Sequence, residues 1–106
     1  MHNSNLDLEP IFFAGEINQE IPFLDLHGYS TDNAKIALNE FLNQEYIKNK
    51  SSSFTIVRVI TGKGSGRLMS EIWNYLEREK DKELRFIIDF RKPSHFNNDA
   101  EILIVL

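Results

Sequence analysis

Residues 54–76, FTIVRVITGKGSGRLMSEIWNYL, decide the fold. From Phe54 to Thr61 the stretch is rich in β-branched residues and reads as a largely buried strand. Three glycines in Gly62-Lys63-Gly64-Ser65-Gly66 then make a turn, after which Leu68, Met69, Ile72, Trp73 and Leu76 recur at helical spacing. A strand that turns directly into an amphipathic helix is half of an α/β unit, so the flanking sequence must supply the other strands.

Upstream, Phe23 to His27 alternates like a strand and stops at Gly28. Ser30, Thr31 or Asp32 can cap a helix carrying Ala34, Ala37, Leu38, Phe41 and Leu42, which the polar run from Lys48 to Ser53 ends. Downstream, the charged stretch Glu77 to Glu83 reads as a solvated helix end. Leu84 to Phe90 reads as a third strand, residues 91–100 as a loop, and Ile102 to Leu106 as a fourth strand. The expected order is βαβαββ, a two-layer α/β sandwich with a four-stranded mixed sheet and two helices. Strands separated by helices are expected to be parallel and the last two antiparallel. Two helices on one side leave the other sheet face partly open. Alternation assigns Asp25, His27, Arg58, Arg85 and Asp89 to that face. Residues 1–21 read as an N-terminal polar tail followed by an extended arm, because Ile11, Phe12, Phe13, Ile17 and Ile21 are aperiodic and broken by Gly15 and Pro22. The Phe12-Phe13 arm is expected to shield Ile56 and Ile87, and the domain proper is expected to occupy residues 22–106.

The composition bounds what such a domain does. A chain of 106 residues with 42% hydrophobic residues and 8 Phe supports one packed core and one domain. No apolar run approaches the roughly 20 residues of a membrane span, and the N-terminus shows no secretory signal, so no membrane partner is expected. Zero Cys excludes disulfides and thiolate chemistry and fits a reducing, cytoplasmic setting. The formal charge of -4 makes the molecule as a whole no polyanion binder, so any nucleic-acid site must be local.

Three constellations carry possible chemistry. Asp25 and His27 sit two apart at a strand end, where a carboxylate can orient an imidazole for proton transfer or help hold a divalent cation such as Mg²⁺ or Mn²⁺. One carboxylate is a thin ligand set, which leaves the metal open. A buried or edge His satisfied by its neighbour would look the same in sequence. In the turn after the second strand, glycines let backbone N–H groups converge at a helix start, and Lys63 and Arg67 add full charges that suit a phosphate. Walker A spacing is absent, and the G-x-G-x-G spacing departs from a dinucleotide fingerprint. The third is Arg91-Lys92 with His95 and Phe96, a basic loop with an aromatic residue that suits nucleic acid or simple solvation alike. Trp73 and Phe41, at helical spacing, read as core.

Together, Leu24-Asp25-Leu26-His27-Gly28 and Thr61-Gly62-Lys63-Gly64-Ser65-Gly66-Arg67-Leu68 resemble the two motifs of the Smr (small MutS-related) domain, L-D-x-H-G on the first strand and T-G-x-G after the second. The resemblance covers about residues 22–106. It implies a fold similar to the C-terminal domain of bacterial translation initiation factor three, and activities ranging from DNA nicking through RNA cleavage to binding without cleavage. It assigns cleavage or substrate engagement to Asp25 and His27, and the nucleic-acid backbone to Thr61, Gly62, Lys63 and Gly64. Where many members carry a glycine pair before the last strand, this chain has Asn97-Asn98-Asp99-Ala100. Members are often appended to a larger protein that supplies targeting.

The leading expectation is a nucleic-acid-binding domain with weak endonuclease activity on DNA or RNA. Asp25 and His27 would be catalytic, and Thr61, Gly62, Lys63, Gly64, Arg67, Arg91 and Lys92 would bind the strand. The alternatives are a non-catalytic RNA- or DNA-binding adaptor and a protein-interaction domain.

Overall fold

The computed structural model describes residues 7–49, 54–94 and 99–106. Across them the order is α1 (Glu9–Ile17), β1 (Phe23–Asp25), α2 (Thr31–Lys48), β2 (Ile56–Ile60), α3 (Arg67–Glu79), β3 (Asp89–Arg91) and β4 (Glu101–Val105). The strands form one four-stranded sheet in the order β1-β2-β4-β3. β1 runs parallel to β2, and β4 is antiparallel to both β2 and β3, so β4 alone is reversed. This is the expected mixed sheet, with the last strand returning into the gap between β2 and β3.

Helices α2 and α3 cover one face. Val57 and Val59 of β2 and Ile102 and Ile104 of β4 meet Leu38 and Leu42 of α2 and Ile72 and Leu76 of α3 in the main core. The α3 residues Met69, Ile72, Tyr75 and Leu76 are buried because they recur every three or four positions. Truncating one of these side chains, as in Leu76→Ala, removes buried methyl groups at a cost of about 2–5 kcal/mol.

The opposite face is covered by α1, which corrects the reading of an extended arm. Pro10 lies in the first turn of α1, where a missing N–H costs nothing and a fixed φ favours the helix. Gly15 breaks no helix either. A Cβ there would lie 2.3 Å from Ile56 Cδ1, so glycine lets α1 settle onto the sheet. Phe12, Ile21, Leu103 and Val105 form a second buried cluster, with Ile56 packed against it as expected. Phe13 is 58% exposed and lies outside that cluster. Arg58 is buried beneath α1, donating from Nη2 to the carbonyls of Gly15 (2.8 Å) and Glu16 (3.2 Å), while its Nε lies 3.2 Å from Glu101 Oε1. A cation at the end of α1 meets the negative pole of its dipole.

Three strands are shorter than expected, β2 only at its ends (Ile56–Ile60 within Phe54 to Thr61). The Leu84–Ile88 segment turns instead of pairing: Leu84 N–H donates to Glu79 O and Ile87 N–H to Leu84 O, and pairing to β4 begins only with Ile88 N–H on Val105 O. Leu84 and Ile87 both enter the main core. Residues three apart would face opposite sides of a strand, so burying both on one side requires a turn. Ile87 is therefore on the α2–α3 side and not under Phe12, and Arg85 lies off the sheet, its Nε donating to Lys82 O. β1 ends at Asp25, which leaves His27 beyond the ladder.

Candidate functional site

β1 and β2 are parallel neighbours, so the turns that follow them emerge together at one end of the sheet. The first turn is held by Leu26 N–H donating to Ile60 O at 2.7 Å. Just before it, Asp25 Oδ1 accepts the backbone N–H of His27 (3.1 Å) and lies 2.8 Å from His27 Nδ1. A carboxylate reaching its own backbone two residues on is a common aspartate turn, and here it also grips the ring. With the proton on Nδ1 donated to Asp25, the lone pair of the neutral ring sits on Nε2. The His27 side chain is 73% exposed and that of Asp25 41%. The hydrogen bonds from the His27 ring and backbone hold the Asp25 carboxyl below the usual carboxylate range, so it is ionised at neutral pH.

The second turn runs directly behind this pair. Gly62 has φ 82°, and a Cβ placed on it would lie 2.7 Å from His27 Cβ. Only glycine permits both the conformation and the approach. Thr61 N–H (2.8 Å), Thr61 Oγ1 (3.1 Å) and Gly62 N–H (3.1 Å) all donate to the carbonyl of Ala100, which anchors the turn to the start of β4. Thr61 is accordingly buried, and the structure places it and the Gly62 N–H as anchors.

The open donors come later in the turn. Among the described residues, the N–H groups of Lys63, Gly64, Ser65 and Gly66 donate to no protein carbonyl. Ser65 Oγ accepts the Arg67 N–H at 3.2 Å, but α3 has no side-chain cap from its N-cap Gly66 and no acidic residue in its first turn. Among the described residues, neither a cap side chain nor a first-turn acid offsets its positive pole. Lys63 and Arg67, both exposed, border a cleft of about 140 Å³ together with Gly28, Tyr29 and Ser65. Free N–H groups, a helix start and two cations around one concavity suit an anionic oxygen.

Arg91 and Lys92 part company. Arg91 turns toward α1, 2.7 Å from Glu9 Oε2 and 3.6 Å from Asp89 Oδ2, with its guanidinium 4.0 Å from the centre of the Phe12 ring. Lys92 turns toward α3, its Nζ 5.9 Å from the centre of the Trp73 ring. The expected basic loop is thus divided between the two sheet faces, and His95, Phe96, Asn97 and Asn98 lie outside the described residues. Sequence reasoning passed over Tyr29, 46% exposed at the cleft, although an aromatic residue directly after the first motif's glycine is a visible signal. The anchoring carbonyl of Ala100 leaves no mark in sequence, because any residue supplies one.

Among the described residues no group of three His, Asp or Glu side chains is placed to hold a metal ion. Asp25 already has one oxygen engaged twice by His27, so this donor set does not fit a resident Mg²⁺ or Mn²⁺. No described helix is long and apolar enough to cross a membrane.

Comparisons with known proteins bear on this arrangement. Residues 24–105 match the family model of the Smr domain. The chain is 39% identical over 57 residues to Endonuclease MutS2 of Staphylococcus saprophyticus, a match covering 54% of this chain and 7% of that protein. It therefore spans only a small part of this curated relative's length. The crystal structure of the Smr domain of Thermus thermophilus MutS2 superposes with a TM-score of 0.61 at 20% identity, over 79% of this chain and 95% of that one. That likeness establishes the fold.

Proposed function

The chain belongs to the Smr domain family, and from that membership we propose that it binds the phosphodiester backbone of nucleic acid in the cleft at the start of α3 and cleaves it, with His27 moving the proton. The observation that carries the reading is the contact between the two motifs. His27 rests against Gly62, so the imidazole stands beside the turn whose later N–H groups are open. The name of the curated relative, an endonuclease, is consistent with it.

In this mechanism the N–H groups of Lys63 to Gly66 take the non-bridging phosphate oxygens, and Lys63 and Arg67 offset the charge that builds as the nucleophile adds. His27 Nε2 accepts a proton from water or from a ribose 2'-hydroxyl as that oxygen attacks phosphorus, and the opposite P–O bond breaks with the leaving oxygen taking a proton from solvent water. Asp25 stabilises the imidazolium so formed. A positioned base of this kind contributes about 10²–10⁴-fold in rate. Attack by water leaves a 5'-phosphate, whereas attack by the 2'-hydroxyl leaves a 2',3'-cyclic phosphate. Residues 22–106 form the functional unit in this reading, Lys92 adds charge on the α3 side, and Arg91 acts by holding α1. We further place the domain in the cytoplasm, directed to its substrate by a larger protein.

The 73% exposure of the His27 side chain favours a second reading, binding without cleavage, because proton transfer gains most in sites that exclude water. One experiment separates the two. Wild type and His27→Ala are incubated with supercoiled plasmid and with structured RNA, with and without Mg²⁺ or Mn²⁺, and products are resolved on a gel after circular dichroism confirms that both proteins are folded. Cleavage that disappears in His27→Ala supports the nuclease; no cleavage, or equal cleavage by both proteins, leaves binding alone.

A further inference from the structure

Beside the cleft at the start of α3 lies a larger one of about 630 Å³. That is within the roughly 300–1,000 Å³ of ordinary small-molecule sites. Its wall is a single stripe of α3, in which Met69, Ser70, Trp73 and Asn74 recur at three- and four-residue spacing. Gly66 and Met69 border both clefts, so the two adjoin. The far side is closed by Lys92 and Asp99, which flank the connection from β3 to β4.

Trp73 is built as a platform. Its ring meets that of Phe90 at 4.7 Å between centroids with an interplanar angle of 69°, which fixes it against the core. The exposed Lys92 ammonium stands over the half-buried ring, 5.9 Å from its centre. Around the ring, the Ser70 hydroxyl, the Asn74 amide and the Asp99 carboxylate offer both donors and acceptors.

We infer that this pocket receives an unpaired nucleobase from a strand whose phosphate occupies the neighbouring cleft, so that the substrate class is single-stranded or locally unpaired nucleic acid. The inference rests on the reading of that cleft as a backbone site. A base within a duplex has its faces stacked and its pairing edge occupied; only an unpaired base presents a face to a tryptophan and an edge to Asn74 and Asp99. Trp73 lies six residues beyond Arg67 along α3, about 9 Å at 1.5 Å per residue, so one short stretch of strand reaches both. Lys92 shifts from the ring to an adjoining phosphate as the base enters.

Trp73 is the only tryptophan in the chain, so its fluorescence reports directly on the pocket. The full chain is titrated with single-stranded oligothymidylate and oligouridylate, with a strand of abasic sites of equal length, and with a duplex, while affinity is followed separately by competition anisotropy. Base-bearing single strands are expected to quench Trp73 in step with binding. The abasic strand should bind about tenfold more weakly and leave the fluorescence unchanged. Salt-sensitive binding without quenching, or equal quenching by abasic and base-bearing strands, overturns the base pocket and leaves the backbone site intact. Salt-sensitive binding by no strand at all overturns both.

Discussion

The chain passes twice from a strand through a tight turn into a helix, and the two helix starts are finished differently. At α2, Ser30 Oγ accepts the Asn33 N–H and Asp32 sits in the first turn, so protein groups satisfy the orphan donors and the dipole. At α3 the N-cap is glycine, the first turn holds no acid, and the nearest charged residues in sequence are the cations Lys63 and Arg67. The same backbone device is closed in one place and left open in the other. Closing a helix start stabilises the fold, whereas an open one leaves donors aimed at solvent for an external anion. The pairing of the two turns through His27 and Gly62 puts the closed start's imidazole beside the open start's donors.

The largest effect should come from breaking that contact. Gly62→Ala forces an L residue to φ 82° and pushes a methyl group to 2.7 Å from His27 Cβ. It should cost up to about 3 kcal/mol in urea unfolding and displace the imidazole. Gly28→Ala is the control, since Gly28 has φ 81° but nothing within 4 Å of an added Cβ, and should cost only about 1–2 kcal/mol. Next, Arg67→Glu gives α3 the first-turn acid that it lacks. Affinity for a short single strand should fall on the order of tenfold in an anisotropy titration. Thermal stability should stay level or rise by about 0.3–1 kcal/mol, as though the open start had been closed. Ser30→Ala opens the closed start instead, costing about 1 kcal/mol by denaturation with nucleic-acid affinity unchanged.

The smallest effect is a pH dependence. Asp25 has its carboxyl pKa lowered from 3.8, chiefly by the His27 ring and then by the His27 backbone N–H. A depressed folded-state pKa contributes stability above the unfolded value, and that contribution is lost as pH falls through the folded one. Because the side chain is 41% exposed, solvent screens the interaction and the contribution is modest. Asp25→Asn should therefore be slightly less stable than wild type at neutral pH, and urea midpoints should show the gap closing below pH 3.8.

Much of this is legible in the sequence. The strand-turn-helix pattern of residues 54–76 and the alternation of Phe23 to His27 report local periodicities, and these survive folding. Asp25 and His27 were legible as a pair because two-residue spacing already places a carboxylate beside a ring. Long-range contacts were not legible. Gly15 reads as a breaker because only its packing on Ile56 reveals why a helix needs a glycine there. Leu84 to Phe90 reads as a strand because β propensity is local, while the demand that Leu84 and Ile87 share one core is not. Arg91 and Lys92 read as one basic loop because they are adjacent, although Arg91 ends β3 and Glu9, far off in sequence, claims it.

The most direct test of the open start of α3 as a backbone site is the salt dependence of single-strand binding by wild type and Lys63→Ala. Each phosphate neutralised on a single strand contributes about 0.7 to the slope of log affinity against log salt. The slope should therefore be shallower by about 0.7 in Lys63→Ala, with affinity reduced similarly across sequences. An unchanged slope and affinity in a folded Lys63→Ala protein would contradict the assignment of the nucleic-acid backbone to this turn.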